Sequence, residues 1–229
     1  MPTYRMATSG RSISGSQTFA MAYTSPEPNS RFYAILHDSQ IGTEIQTVTW
    51  QPQGTSTGQQ AMTKIQTQSA VLGANTQYFA LFRLNNPSAA TGAGGANGKF
   101  SIGSLSNGST LFGVFAVSNV TEDPVIQMAT GVGASSAVAI SAAPNSLVLD
   151  FVTRMQDGST TAPSPTAGQT AVRQIGASGA GGGLDSGLGM GREFGGTNQT
   201  WNMAFSCRWF AAALSFANVA GKTQAVVVS

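Results

Sequence analysis

Short apolar or alternating segments recur along the chain and are separated by Gly, Pro, Asn and Ser. No long segment repeats apolar residues at positions i, i+3, i+4 and i+7, which is the spacing of an amphipathic helix. Short segments bounded by turn-forming residues are typical of β-strands. The pattern predicts strands at 31–37, 44–50, 77–84, 98–105, 110–120, 136–141, 146–155 and 170–176, and either two strands or one long bent strand at 200–219.

The arrangement of apolar residues within these strands predicts packed sheets. In EIQTVTW, residues 44–50, Val48 and Trp50 share one face while Thr47 and Thr49 share the other, because successive strand residues point to opposite faces. Several other strands are apolar on both faces, whereas a sheet with one solvated face alternates more cleanly. Two packed sheets, with or without a further neighbour, explain this. We therefore expect an all-β fold, an antiparallel β-sandwich that forms a single domain over residues 1–229.

The segment GASGAGGGLDSGLGMGREFGG, residues 176–196, is nearly half glycine. It contains neither G-x-G-x-x-G nor G-x-x-x-x-G-K-[ST], so its pattern does not indicate a phosphate-binding loop. Apolar residues interrupt it, which distinguishes it from a flexible Gly/Ser linker. We interpret 176–196 as a glycine-rich assembly loop that a neighbouring subunit orders. Its apolar anchors would be Leu184, Leu188, Met190 and Phe194.

The composition of the chain predicts the character of its surface. Only 9% of the residues are charged against 41% hydrophobic ones, and the formal net charge is +2. Gly, Ser, Thr, Ala, Gln and Asn fill the difference, which predicts a folded protein with an uncharged polar surface suited to packing against neighbours. The basic residues are scattered, whereas a nucleic-acid interface needs clustered positive charge. We expect no nucleic-acid partner.

Three further sequence features indicate the cellular compartment in which the chain is made. Cys207 is the single cysteine, so no intrachain disulfide can form, and its apolar surroundings favour a small core residue over a nucleophile. The N-terminus lacks the apolar region of a secretory signal, and no apolar run approaches the ~20 residues of a membrane span. We expect synthesis in a cytoplasm and no membrane partner.

Candidate catalytic residues are few. His37 is the single histidine and precedes Asp38, but adjacent strand residues point to opposite faces and make a poor relay. A polar strand-end histidine is the favoured interpretation. Glu122 and Asp123 suit a corner before Pro124 better than catalysis. Zinc would need several His or Cys ligands. The sequence predicts no enzyme activity, no cofactor and no metal.

The tryptophans are the remaining candidates for ligand contact. Trp50 and Trp201 lie near strand ends beside Gln, Asn and Thr, where an aromatic face could stack on a glycan or contact a partner. Packing in the core or in an interface is the favoured alternative for each. Trp209 lies in the apolar segment CRWFAAAL and is expected in the core.

The order of the segments resembles one known group of domains. The segments that carry the resemblance are NSRFYAIL (29–36), TVTW (47–50), AMTK (61–64), YFALFRLNNP (78–87), VSNVTEDP (117–124), NSLVLDFV (145–152) and CRWFAAALSF (207–216). Together they resemble concanavalin A-like jelly-roll β-sandwich domains of phage virion proteins and bacterial surface proteins. The closely spaced acidic residues of jelly-roll glucanases and the metal-binding Asp/Asn cluster of legume-type lectins have no counterpart in this chain.

The resemblance and the composition together imply a function. We expect a non-enzymatic virion structural protein of a tailed phage, more specifically a capsid decoration or head-surface protein rather than a tail or fibre component. Its partners would be further copies of itself, as a homo-oligomer, and other virion proteins, and its location the virion. The alternative is a carbohydrate-binding module or adhesin on the same fold, with a host-surface glycan as partner. A glycan hydrolase is the third interpretation.

Overall fold

Every regular element among the described residues is a β-strand in the computed structural model. The structure describes residues 1–12, 17–38, 47–53, 57–72, 75–91, 97–103, 110–155, 161–166, 168–177, 186–196 and 198–217. The strands are β1 (Thr3–Ser12), β2 (Gln17–Met21), β3 (Arg31–Asp38), β4 (Thr47–Gln51), β5 (Gln60–Ala61), β6 (Thr63–Leu72), β7 (Asn75–Asn85), β8 (Gly98–Gly103), β9 (Thr110–Ser118), β10 (Val125–Ala139), β11 (Leu147–Met155), β12 (Ser164–Pro165), β13 (Thr170–Ala177), β14 (Ser186–Phe194) and β15 (Asn198–Phe216).

The strands form three sheets, and every strand pair is antiparallel. The middle sheet has the order β1-β9-β3-β7-β6. The long sheet has the order β10-β15-β11-β14-β13, with β12 also paired to β15. The small sheet has the order β2-β8-β4-β5. The prediction of an all-β antiparallel sandwich is confirmed.

The middle sheet is buried on both faces. In β3, Tyr33 and Ile35 enter the cluster shared with the long sheet, whereas Phe32 and Ala34 enter the cluster shared with the small sheet. Strand residues alternate between faces, so a strand covered on both sides needs apolar residues at consecutive positions. This explains the continuous apolar run at 32–36 within the predicted strand 31–37. The small sheet is the further neighbour that the apolar pattern allowed.

Aromatic side chains fill both interfaces of the middle sheet. Towards the long sheet, the rings of Phe115 and Phe151 lie 4.7 Å apart. Towards the small sheet, Phe32 packs edge-on against Trp50 at 5.2 Å, and Trp50 lies 4.7 Å from Phe100. Such tilted and edge-to-face contacts add to the free energy gained by burying apolar area.

A third apolar cluster covers the outer face of the long sheet. Residues 207–215 of β15 pair with 125–133 of β10, and then 198–202 pair with 135–139. Between these two segments, residues 203–206 of β15 face only residue 134 of β10, so the ladder is interrupted there. Residues 198–203, which we call the β15 arm, share a buried cluster with Val148 and Val152 of β11. The arm therefore covers the long sheet.

The strand predictions differ from the structure in the glycine-rich segment and at several weakly apolar strands. The prediction of a loop over 176–196 is wrong for the described residues, since β13 extends to Ala177 and β14 covers Ser186–Phe194. Residues 178–185 lie outside the described part of the chain. The segment 200–219 contains one long strand, β15, rather than two. Strands β1, β2, β6 and the first half of β10 carried too weak an apolar signal to be predicted.

The first prediction concerns the interface between the middle and long sheets. Phe115→Ala should lower the free energy of unfolding by about 3–5 kcal/mol, because the Phe115 ring is fully buried against Phe151. Urea denaturation followed by far-UV circular dichroism measures the loss. Phe194→Ala is the matched control, since 60% of Phe194 is exposed, and should change the stability by less than about 0.5 kcal/mol. Equal losses in the two variants would contradict this packing.

Candidate functional site

The most concentrated buried polar chemistry surrounds Asp150 on the outer face of the long sheet. Leu149 and Phe151 of β11 point into the core below, so Asp150 between them points outward, beneath the β15 arm. The side chain is 1% exposed. Its Oδ2 accepts a hydrogen bond from Trp201 Nε1 and another from Gln169 Nε2, the latter at 2.6 Å. Asp150 is thus enclosed and ties the arm to the sheet.

A second carboxylate is joined to Asp150 through two amides. Gln169 Nε2 also lies 2.9 Å from Gln199 Oε1, and Gln199 Nε2 donates to Glu193 Oε1 on β14. The backbone N–H of Thr200 donates to Gln169 Oε1 at 3.3 Å. The polar network therefore runs from the buried Asp150 through Gln169 and Gln199 to Glu193, and its members Gln169 and Glu193 are half-buried. It connects β11, β14 and the β15 arm.

Burial raises the pKa of Asp150 to about 7, and the neighbouring charge of Glu193 acts in the same direction. The hydrogen bonds from Trp201 and Gln169 act in the opposite direction, because they stabilise the carboxylate form. A carboxyl group that holds its proton to near-neutral pH is typical of an acid–base catalyst, and two carboxylates are the set that glycosidases use. Here the Trp201 indole and the Gln169 amide already occupy Oδ2, and the carboxyl is closed to solvent, so a substrate has no access to it.

This network was not predicted from the sequence. The available signal was a single carboxylate in the middle of an apolar strand, SLVLDFV. A second signal was the spacing of glycine in GLGMG, where Gly187, Gly189 and Gly191 share one face of β14. A Cβ at Gly189 would lie 2.5 Å from Trp201 Cζ3, and one at Gly191 would lie 2.3 Å from Asp150 Oδ1. These glycines provide the space in which the indole and the carboxyl lie.

The structure corrects the interpretation of both candidate glycan contacts. Trp50 is 0% exposed and donates from Nε1 to the Ser88 carbonyl at 2.9 Å. Trp201 is 1% exposed and donates to Asp150. Neither ring presents a face to solvent, so neither is a surface for stacking on a sugar. Core packing, the favoured alternative for both residues, is confirmed. Trp209 and Cys207 are also buried, as predicted.

Two of the proposed assembly anchors belong to the core of the chain itself. Leu188 and Met190 are fully buried between the middle and long sheets. The physical reason is the alternation of β14, which directs every second residue inward. Phe194 at the end of β14 is exposed, so it alone of the described anchors is available to a neighbour. Leu184 lies outside the described residues.

His37 is another buried titratable residue. Its position at the end of β3 is as predicted, but the ring lies fully buried between the middle and long sheets. Its Nδ1 is 2.6 Å from Thr153 Oγ1, and its ring lies 4.7 Å from that of Phe210. Burial lowers the pKa of His37 to about 3, so the imidazole is neutral in the folded protein. The Asp38 side chain lies outside the described part of the chain.

The acidic corner before Pro124 has the structural role that its sequence predicted. Asp123 Oδ1 accepts hydrogen bonds from Arg31 and Arg83 at 2.5 and 2.6 Å. The guanidinium of Arg83, together with that of Arg31, holds the pKa of Asp123 below its usual value. The corner thus joins the end of β9 to β3 and β7. Glu122 is exposed beside it.

A small cavity of about 250 Å³ lies on another part of the surface, between β1 and the segment that follows β2. Arg5, the charged residue in its lining, already pairs with Glu27 at 2.6 Å. Within the described ranges, no three His, Cys, Asp or Glu side chains are grouped to bind a metal ion. The described part of the chain also has no helix long and apolar enough to cross a membrane.

Comparison of the chain with protein-family models, curated proteins and solved structures gives no match.

The second prediction concerns the opposing titrations of Asp150 and His37. Folded Asp150 keeps a proton that the unfolded chain loses above pH 3.8, so its contribution to stability falls as pH rises from about 4 to about 7. In the unfolded chain His37 binds a proton below pH 6.5, whereas in the folded protein it stays neutral down to about pH 3. The contribution of His37 to stability therefore rises with pH from about 3 to 6.5. Each slope is roughly 1.4 kcal/mol per pH unit. Between about pH 4.5 and 6 the two slopes should nearly cancel, so the stability of the wild type should change little with pH.

Urea denaturation at several pH values tests this cancellation. Asp150→Asn keeps an oxygen for the Trp201 and Gln169 donors but no longer titrates, so its stability should rise with pH by roughly 1.4 kcal/mol per unit. His37→Asn keeps a polar group beside Thr153 and should show the opposite slope, while the double variant should be flat like the wild type. An Asp150→Asn variant with the wild-type slope would show that Asp150 is ionised in the folded protein.

Proposed function

We propose that this chain is a non-enzymatic structural protein of a virion. Within that class we propose a capsid decoration or head-surface protein of a tailed phage, rather than a tail or fibre component. The proposal includes assignment to the concanavalin A-like jelly-roll group of sandwiches. Its partners would be other copies of the chain and other virion proteins.

The observation that carries the proposal is where the chemically capable residues lie. His37 and Asp150 are enclosed in the interior, and each has a partner that holds it in place, Thr153 for the imidazole and Trp201 for the carboxyl. The indoles of Trp50 and Trp201 are enclosed as well. His37 and Trp50 stabilise contacts between sheets, and Asp150 and Trp201 stabilise the contact between the long sheet and the β15 arm. This favours a function performed by the surfaces of the molecule.

The charge distribution supports close packing between copies. Charged residues make up 9% of the chain, and several are neutralised within it, as in the pairs Arg5–Glu27 and Arg83–Asp123. High net charge keeps proteins apart through mutual repulsion. A surface with little net charge lets many identical copies lie side by side, as they do in a shell.

The order of the strands supports the assignment to the sandwich group. The segments that carry the resemblance contribute to β3, β4, β5, β6, β7, β9, β11 and β15, and they occur in the middle, small and long sheets. Their shared turn residues also have structural roles, since Asn86 and Asn119 adopt positive φ at 49° and 57°. Asn tolerates this left-handed conformation better than most residues. The resemblance in sequence thus coincides with strand ends.

The alternative function, a carbohydrate-binding module or adhesin, depended on Trp50 and Trp201. Since both indoles are enclosed, a glycan site would have to use other residues. A glycan array on the purified protein distinguishes the two functions. Specific binding of a sugar would favour the alternative, whereas an array without hits is the result expected for the structural protein.

The third prediction tests the structural function directly. The chain should co-sediment with particles purified from its native source. Phe194→Ser should weaken that association by roughly tenfold to a hundredfold, because burying an exposed Phe side chain in an interface is worth about 1.5–3 kcal/mol. Sedimentation followed by quantitative immunoblotting measures the bound fraction.

Val71→Ser is the matched control for this experiment, since Val71 is exposed to a similar degree on the remote edge strand β6. It should leave the bound fraction unchanged. If the wild-type chain remains in the supernatant while particles pellet, the proposal of a virion protein is wrong. If Phe194→Ser binds as the wild type does, the particle contact lies elsewhere on the surface.

A further inference from the structure

The free edge of the long sheet is formed by β10, which extends over Val125–Ala139. On one side it pairs with β15 along its length. On the other side, no strand of the described chain pairs with it. Backbone N–H and C=O groups of alternate residues point to that side, and such a row is a template for another β-strand.

The other long edge strands carry the features that usually prevent such pairing. Edge strand β1 has Arg5 and a shift of register between Tyr4 and Met6. The edge strand β6 has Lys64 and a shift of register directly after it. Charged side chains and bulges both disfavour the addition of a further strand.

The remaining edges follow the same rule. In β13, Arg173 accompanies a shift of register between Ala171 and Arg173. The small sheet ends in β2 and β5, which have five and two residues. Short edge strands offer little to pair with.

The edge of β10 differs from these edges in charge and in length, although its own register also shifts, between Gly133 and Ser135. VIQMATGVGASSAVA contains no charged residue and no proline. Its register with β15 is regular from Val125 to Gly133. Val125 and Val132, near the two ends of this regular segment, are 47% and 66% exposed. Large apolar side chains and unpaired backbone groups therefore lie together on one uncharged edge.

We propose that β10 is a homodimer interface, in which it pairs antiparallel with β10 of a second copy of this chain about a twofold axis. The two long sheets then form one continuous sheet. Backbone donors and acceptors on the two edges satisfy each other, and the exposed valines of each copy are covered by the partner strand.

A second copy fits this edge because the edge is uncharged. A twofold axis places the same segment of both copies together, which would bring like charges together on an edge such as β6 but brings none together on β10. A parallel arrangement would place the two Glu122–Asp123 corners side by side, whereas the antiparallel one places them at opposite ends. The antiparallel pair is also closed, because it uses the β10 edge of both copies.

This pairing goes beyond the proposed function and does not depend on it. It is a property of the purified protein in solution, whereas the proposed function is tested on particles with substitutions at Phe194. Either can fail without the other.

Light scattering after size-exclusion chromatography, at increasing concentrations, tests the interface. The wild type should form dimers. Gln127→Lys combined with Val132→Lys adds cations to the edge on exposed side chains and should raise the dimer dissociation constant by about tenfold or more. Val71→Lys, on β6, is the matched control and should dimerise as the wild type does. Circular dichroism and thermal unfolding confirm that all variants are folded.

Cysteine cross-linking identifies the paired strand independently. A twofold antiparallel pair has one residue that lies opposite its own copy, with Cα atoms about 4.5–5.5 Å apart, which a disulfide can span. In a Cys207→Ala background, single cysteines at each of residues 125 to 133 should give one strongly self-linked position, and Val71→Cys should give none.

Three results would overturn the proposal. The first is a wild-type protein that stays monomeric at every concentration. This result would overturn the proposal even if β10 pairs with a different virion protein. The second is a dimer that persists in the lysine variant. The third is a dimer without a self-linked position on β10.

Discussion

Burial of the middle sheet on both faces is the constraint on which the rest of the structure depends. Its strands β3, β7 and β9 carry apolar side chains at consecutive positions, so each face needs an apolar cover of its own. The long sheet covers one face and the small sheet covers the other. A polar group within these interfaces is costly to bury without a partner. For His37, Thr153 is the partner of Nδ1, and the imidazole avoids the larger cost of a buried charge by remaining neutral.

The long sheet has a similar requirement on its outer face, and the β15 arm meets it. Trp201 lies over Gly189 and Gly191, where any side chain would collide with the indole. The indole N–H then needs an acceptor, and Asp150 provides one. The cost is a carboxyl group with a raised pKa, stabilised by the amides of Gln169 and its neighbours. The packing of the Trp201 indole over the alternating glycines of β14 therefore determines the whole polar network.

Stacked sheets leave their edges exposed, and these edges differ in how well they are protected against pairing with another strand. Charges, register shifts and short strands protect the edges of the middle and small sheets and the β13 edge of the long sheet. The β10 edge has none of the charges and is regular over its first part. An aggregation hazard of this kind persists in a stable protein when it is covered in the assembled state. Among the described edge strands, β10 therefore has the least protection against pairing with a further strand.

The sequence by itself determined the fold class, the positions of the most apolar strands and the faces of β4, where Val48 and Trp50 are buried and Thr47 is exposed. These follow from local alternation and turn residues, which any chain segment carries with it. The burial of His37 and Trp201 was decided only by the tertiary structure, because it depends on which distant strand covers a given face. Strand β14 could not be predicted from the sequence for a related reason. Its glycines weaken the local strand signal, and they are favourable only because the β15 arm, remote in sequence, fills the space that they leave.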